Sequence, residues 1–208
     1  WGIKGDRTWT HDFLISLGLQ EKLVIGERDR AVHIFRSDLL RRGASLSQAT
    51  GALAEALGIA QKVVPMSDDP VSTILSTSEG QMHFQDFWVA LKGKPAVSGI
   101  SFIGMDRARP SPAFLERLDR EETVLIGPSN PVTSIGPILA LPGIRERLAK
   151  KRVVAVSPLL EDRPASGPAA KFMAALGAPA GDEGVRLLLG KVDLFIVDKK
   201  SSYQGECR

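Results

Sequence analysis

The sequence predicts an α/β protein: a parallel β-sheet with helices on both faces, carrying a helical and β-hairpin insertion. Three observations predict it. From Val124 onward, apolar strands alternate with helices, as a parallel sheet covered on both faces requires. Ahead of any convincing strand, residues 10–57 read as three short helices with apolar residues at helical spacing. Between these parts, Val71–Thr77 and Met82–Phe84 flank Ser78-Glu79-Gly80, the pattern of an antiparallel hairpin.

Each element has a local cause. Thr10 to Leu17 carries Phe13, Leu14 and Leu17 on one face and stops at Gly18. Arg28 to Arg42 places Val32, Phe35 and Leu39 on one face, with Arg36, Arg41 and Arg42 outward, and ends at Gly43. A third helix starts at Ser45, with Gln48 positioned for a capping box, and stops at Gly58. Lys62–Val64 reads as a short strand halted by Pro65, and Ala96–Ile103 as a longer one. Ser111-Pro112 pairs an N-cap with a proline at the first helical position. There follow the strand Val124–Ile126, a helix over Val132–Leu141, the strand Val153–Val156, a helix over Ala169–Leu176 and the strand Leu194–Val197, with a Pro/Gly loop from Arg163 to Pro168. The division this implies is a helical and hairpin part over 1–95 and an α/β part over 96–208, together one incomplete domain.

Composition excludes several classes. The chain has 208 residues, 43% hydrophobic and 25% charged, which is globular rather than disordered or collagen-like. Its apolar runs fall well short of the ~20 residues of a membrane-spanning helix. A net charge of +3, dispersed along the chain, does not make a nucleic-acid surface. The single Cys207 cannot form an internal disulfide, which fits a cytoplasmic location. The chain opens on Trp1 without methionine and closes on Glu206-Cys207-Arg208, so it is expected to be a fragment cut at both ends.

The segment with the clearest chemistry is Gly127-Pro128-Ser129-Asn130-Pro131-Val132-Thr133-Ser134, which follows a buried strand. Asn130 sits where an N-cap belongs and Pro131 at the first helical position. Free amide groups of the first turn and the hydroxyls of Ser129, Thr133 and Ser134 suit a phosphate; a well-capped helix start explains the same residues. Ligands of open α/β sheets sit beyond the carboxyl ends of the strands, which adds Ser157 and Asp198 to the expected site. No Walker-type loop and no Gly-x-Gly-x-x-Gly is present.

Six blocks, in order, resemble one family, the 2-phospho-L-lactate transferases of coenzyme F-420 biosynthesis. They are Trp1 to Asp6, Gly26 to Ala31, Pro65 to Thr73, Met82 to Trp88, Ile126 to Leu139 and Val153 to Pro158. The resemblance implies a Rossmann-like fold, a homodimer, a requirement for Mg²⁺, and transfer of a phospholactyl or phosphoenolpyruvyl group from a guanosine diphosphate ester, lactyl-2-diphospho-5'-guanosine, to the hydroxyl of the deazaflavin FO. The products it implies are coenzyme F-420-0 and GMP. It also favours the phosphate reading of Gly127–Ser134. Asp68 and Asp69 offer hard oxygen ligands for Mg²⁺ or form a solvated turn. Arg28 and Arg30 either fork onto a diphosphate or pair with Glu27 and Asp29. Asp6 is either a site residue or a helix cap. His11, His33 and His83 lack metal-cluster spacing, and Trp9, Phe84, Phe87 and Trp88 fit a stacking surface or a core.

The sequence departs from the family at three points. Val24 stands where members carry a basic residue expected to contact FO, Glu27 replaces an aspartate, and Leu159-Leu160-Glu161 replaces Ile-Ile-Gly. The family's opening strand and Gly-rich turn are not found before Trp1, so the 208 residues alone are expected to be inactive. A rival reading is a non-catalytic nucleotide-sugar-binding regulator of the same fold group.

Overall fold

A computed structural model describes residues 2–165 and 167–205; Trp1, Ser166 and the end containing Cys207 lie outside them. The chain divides between Asp68 and Asp69 into two compact units.

The first unit is helical: α1 (Trp9–Ser16), α2 (Glu27–Arg41) and α3 (Leu46–Ala56). The expected capping box closes on α3, where Ser45 Oγ accepts from the Gln48 amide at 3.2 Å and Gln48 Oε1 accepts from the Ser45 amide at 2.8 Å. That satisfies two donors a helix start leaves open. The expected apolar face of α1 is not buried: Phe13 and Leu17 are 64% and 66% exposed, because this helix is fastened at its polar end. Phe35 of α2 is likewise exposed. Lys62–Val64 forms no strand; Pro65 lacks a ladder donor and no neighbouring strand pairs with the segment.

The second unit opens with an antiparallel sheet of order β2-β1-β3, formed by β1 (Ser72–Thr77), β2 (Gly80–His83) and β3 (Val97–Ile103). Thr77 pairs with Gly80 across the two-residue turn Ser78-Glu79, as the turn residues predicted. A π-helical turn, Asp86–Ala90, follows. It buries Phe87 against Phe172 with ring centroids 5.7 Å apart. Phe84 meets the same ring edge-on at 6.0 Å. Phe84 and Phe87 are therefore core-packing residues, while Trp88 stays exposed.

The α/β part contains α4 (Pro112–Arg120), β4 (Thr123–Ile126), α5 (Ile135–Ala140), α6 (Ile144–Leu148), β5 (Arg152–Val156), β6 (Leu159–Leu160), β7 (Arg163–Pro164), α7 (Ala169–Ala175), α8 (Asp182–Leu189) and β8 (Leu194–Ile196). Strands β4, β5 and β8 form a parallel sheet in that order. Sequence reasoning did not anticipate α6, α8 or the small β6–β7 hairpin. The expected helix over Val132–Leu141 begins only at Ile135, after a turn over 131–134.

The register sorts side chains to two faces, since partners in a parallel ladder point the same way. Ile126, Ala155 and Phe195 share a buried face. Leu125, Val154 and Leu194 share the other, where Leu125 is 66% exposed; Ile196, two residues along the same face, is 44% exposed. One face of the sheet is thus buried and the other partly exposed, and β4 forms an edge of the sheet among the described residues.

Candidate functional site

The carboxyl end of β4 releases the chain into Gly127, Pro128 and Ser129, all exposed, and then into half-buried Asn130. Asn130 Oδ1 accepts from the Val132 amide at 2.9 Å and the Thr133 amide at 3.1 Å. Its carbonyl accepts from the amides of Ser134 and Ile135 at 3.1 and 3.0 Å. Pro131 brings no amide hydrogen and is buried. The amides of Val132, Thr133, Ser134 and Ile135 are therefore engaged by Asn130 itself, in the turn that leads into α5. Exposed surface for an anion lies just before the turn, at Gly127 to Ser129, with the Ser134 side chain also exposed.

Ser157, at the same end of neighbouring β5, is buried. Its hydroxyl donates to Asp182 Oδ1 and accepts from the Leu159 amide at 3.0 Å. Asp182, the first residue of α8, is only 2% exposed. Its second oxygen takes the Ser201 hydroxyl, which also lies 3.1 Å from Asp162 Oδ1. Hydrogen bonds from Ser202 hold the Asp162 carboxyl below its usual range. Glu161 and Asp162 adopt φ of +50° and +60°, which costs energy for residues with a side chain; bonds from Ser201 and Ser202 to Asp162 offset it. Asp198 Oδ1 accepts the Lys200 amide at 2.8 Å and shapes the loop after β8. Ser157 and Asp198 thus fix the loops at the carboxyl edge of the sheet. Asp182, the organising group, escaped sequence reasoning; its signal was an acid following Gly181 at the start of a run with Val185, Leu188 and Leu189 at helical spacing.

In the first unit, the two motif blocks cap each other's helices. Asp6 Oδ2 accepts from the amides of Arg28 and Asp29 at 2.8 and 3.2 Å, capping α2 from outside its own turn. A Cβ on Gly26 would lie 2.2 Å from that oxygen, so the approach needs glycine. In return, Glu27 accepts from the Thr10 amide and hydroxyl, each at 2.6 Å, at the start of α1. Desolvation opposes ionisation of Asp6, but the amides of Asp29, Arg28 and Arg7 outweigh it and hold the carboxyl below its usual range. The Thr10 bonds do the same for Glu27.

Arg30 forks onto Glu21, at 3.0 and 2.7 Å, rather than onto Glu27 or Asp29. The buried His11 ring meets the same carboxylate through Nδ1 at 2.7 Å. Arg28 is exposed, with no hydrogen-bonded or ion-pair partner for its guanidinium among the described residues, and Val24 is exposed. The fork of Arg30 and the His11 ring lower the Glu21 carboxyl from 4.5 to about 2. A depressed acid contributes stability above its unfolded value, and that contribution is lost as pH falls through the folded one. Helical circular dichroism of the chain is therefore expected to decline between pH 4.5 and about 2, and Glu21→Gln to make that decline shallower.

Asp68 and Asp69 are exposed neighbours at the boundary between the units, and each carboxylate is engaged within its own unit. Asp68 accepts the Ser47 amide at 2.6 Å and Asp69 the Arg109 amide at 2.9 Å. Among the described residues no three acidic, His or Cys side chains gather as a metal cluster. The donor type still suits Mg²⁺, which binds through one or two carboxylates while keeping water and substrate phosphate as ligands. No helix among the described residues is long and apolar enough to cross a membrane.

Comparison with known proteins places the chain in a family. The model of 2-phospho-L-lactate transferase CofD matches residues 8–207. The 2-phospho-L-lactate transferase of Methanosarcina mazei is 49% identical over 201 residues, covering 96% of this chain and 66% of that protein. Its counterpart in Methanococcoides burtonii is 45% identical over 207 residues, 99% of this chain and 68% of the relative. The chain thus spans about two thirds of the length of these curated relatives. A crystal structure of a Bacillus halodurans protein of the UPF0052 family superposes with a TM-score of 0.54 at 18% identity, over 79% of this chain and 52% of that one, and shares the fold. With a parallel α/β sheet and a family match across nearly its whole length, the chain belongs to the CofD family of 2-phospho-L-lactate transferases.

Proposed function

We propose that this chain belongs to an enzyme that moves a phospholactyl or phosphoenolpyruvyl group from a guanosine diphosphate ester, such as lactyl-2-diphospho-5'-guanosine, to the hydroxyl of FO. The products are coenzyme F-420-0 and GMP. The observation that carries the reading is the family match over residues 8–207.

Transfer to an alcohol at phosphorus asks a protein to align two oxygens with the phosphorus and to offset diphosphate charge. Gly127, Pro128 and Ser129 present an exposed, unobstructed backbone at the carboxyl end of a parallel strand, where α/β proteins hold phosphates. Asn130 supports that loop from behind by engaging the next two amides that carry hydrogen. Arg28 is the arginine of its motif with an uncommitted guanidinium, and it supplies positive charge; Arg30 instead holds Glu21. Mg²⁺ belongs to the proposal, held by Asp68 and Asp69 with water, and would neutralise charge on the diphosphate. A homodimer and a cytoplasmic location are part of the same reading.

Asn130→Ala removes one side-chain acceptor and the two amide hydrogen bonds it takes in the turn before α5, and is expected to lower stability by about 1 kcal/mol. Combined with Ser129→Ala it is expected to weaken donor binding, measured by calorimetry with the guanosine ester. Unchanged donor affinity together with reduced thermal stability would leave the turn a cap only.

A further inference from the structure

Residues 3–26 are tied to the rest of the first unit by polar groups, with Leu14 and Ile25 half-buried. Within that stretch His11 and Gly26 are the buried residues, and the large apolar side chains Trp9, Phe13, Leu17, Leu23 and Val24 are exposed. Hydrophobic burial therefore contributes little to holding α1 in place. What holds it is a set of carboxylates. Asp6 caps α2, Glu27 caps α1, and Asp29 accepts the Ile3 amide through both oxygens at 3.3 Å. Glu21 takes His11 and the fork of Arg30. The Glu27 amide donates to the Arg7 carbonyl at 2.8 Å. Gly5 and Gly18, at φ of +72° and +87°, bracket α1 with residues whose backbone bends freely.

We infer that residues 3–26 form a strap latched to α2 by charge-assisted hydrogen bonds, and that the strap opens as a unit while α2 and α3 remain folded. The remaining helices have their own support. The capping box fixes the start of α3, and α2 and α3 pack on each other. The charged groups that face the latch are Glu21, His11 and Arg30 on one side, and Asp6, Glu27, Asp29, Arg28 and Arg7 on the other. Opening withdraws Asp6 and uncovers the Arg28 and Asp29 amides. The position of the strap thus sets the charge around Arg28.

Hydrogen–deuterium exchange of the chain near neutral pH tests this, using Glu21→Gln and, as a second variant, Glu27→Gln. Each replaces charge-assisted bonds by weaker neutral ones. Amides of Trp9–Ser16 are expected to exchange at least about tenfold faster, while those of Leu46–Ala56 and the later half of α2 keep their protection. Equal acceleration in α1, α2 and α3, loss of all three helices, or unchanged exchange in α1 in both variants would overturn the inference.

Discussion

Asp182→Ala is expected to destabilise the second unit by about 3 kcal/mol. A hydrogen bond to a charged group contributes about 1.5–3 kcal/mol, and this buried carboxylate accepts two, from Ser157 and Ser201. It also sits in the first turn of α8, where a negative charge adds about 0.3–1 kcal/mol. Truncation removes the acceptor and leaves the Ser157 hydroxyl buried without it. Asp182→Asn keeps one acceptor and the volume, and should lose about half as much. Urea unfolding followed by the fluorescence of Trp88, the tryptophan of the second unit, in a background with Trp1→Phe and Trp9→Phe, reads the effect. A loss under about 1 kcal/mol for Asp182→Ala would show that the loops after β5 and β8 do not depend on this group.

Gly184→Ala is expected to cost as much or more. A Cβ there would stand 1.8 Å from the Pro179 carbonyl oxygen, a backbone atom that moves only with its loop. Alanine gains about 1 kcal/mol over glycine inside a helix, but overpacking commonly costs about 1–3 kcal/mol and more where backbone must shift. The clash wins. Gly51→Ala supplies the contrast, since nothing lies within 4 Å of its added Cβ in α3; that variant should be more stable by up to about 1 kcal/mol. Because Gly184 and Asp182 shape the same helix start, the two losses should not add, and a double variant should fall short of the sum.

The elements legible in the sequence are those with local causes. Ser45 with Gln48, Ser111 with Pro112, and the turn before Gly80 each carry their own geometry, and each formed where expected. The apolar runs of β4, β5 and β8 announced a parallel sheet. Tertiary choices were not legible. That Asp6 would cap a helix beginning about twenty residues later, and that Arg30 would choose Glu21 over Glu27 and Asp29, depends on how the loop between α1 and α2 folds back. Val132 looked helical by composition, but Asn130 took its amide into a turn. Lys62–Val64 had strand residues but no partner strand. At the candidate site, the exposed Gly127–Ser129 loop was readable from its position after an apolar strand. The buried Asp182 that braces the neighbouring loops was not, because nothing local marks which acid two distant serines will seek.

The chain spans about two thirds of the length of its Methanosarcina mazei relative. For the test, the segments that the chain does not span are supplied from that relative. The direct measurement incubates that completed polypeptide with FO, lactyl-2-diphospho-5'-guanosine and Mg²⁺, and follows products by mass. The account predicts a phospholactylated deazaflavin and GMP in equal amounts. No product, together with tight binding of a uridine diphosphate sugar, would contradict it and identify a ligand-binding regulator.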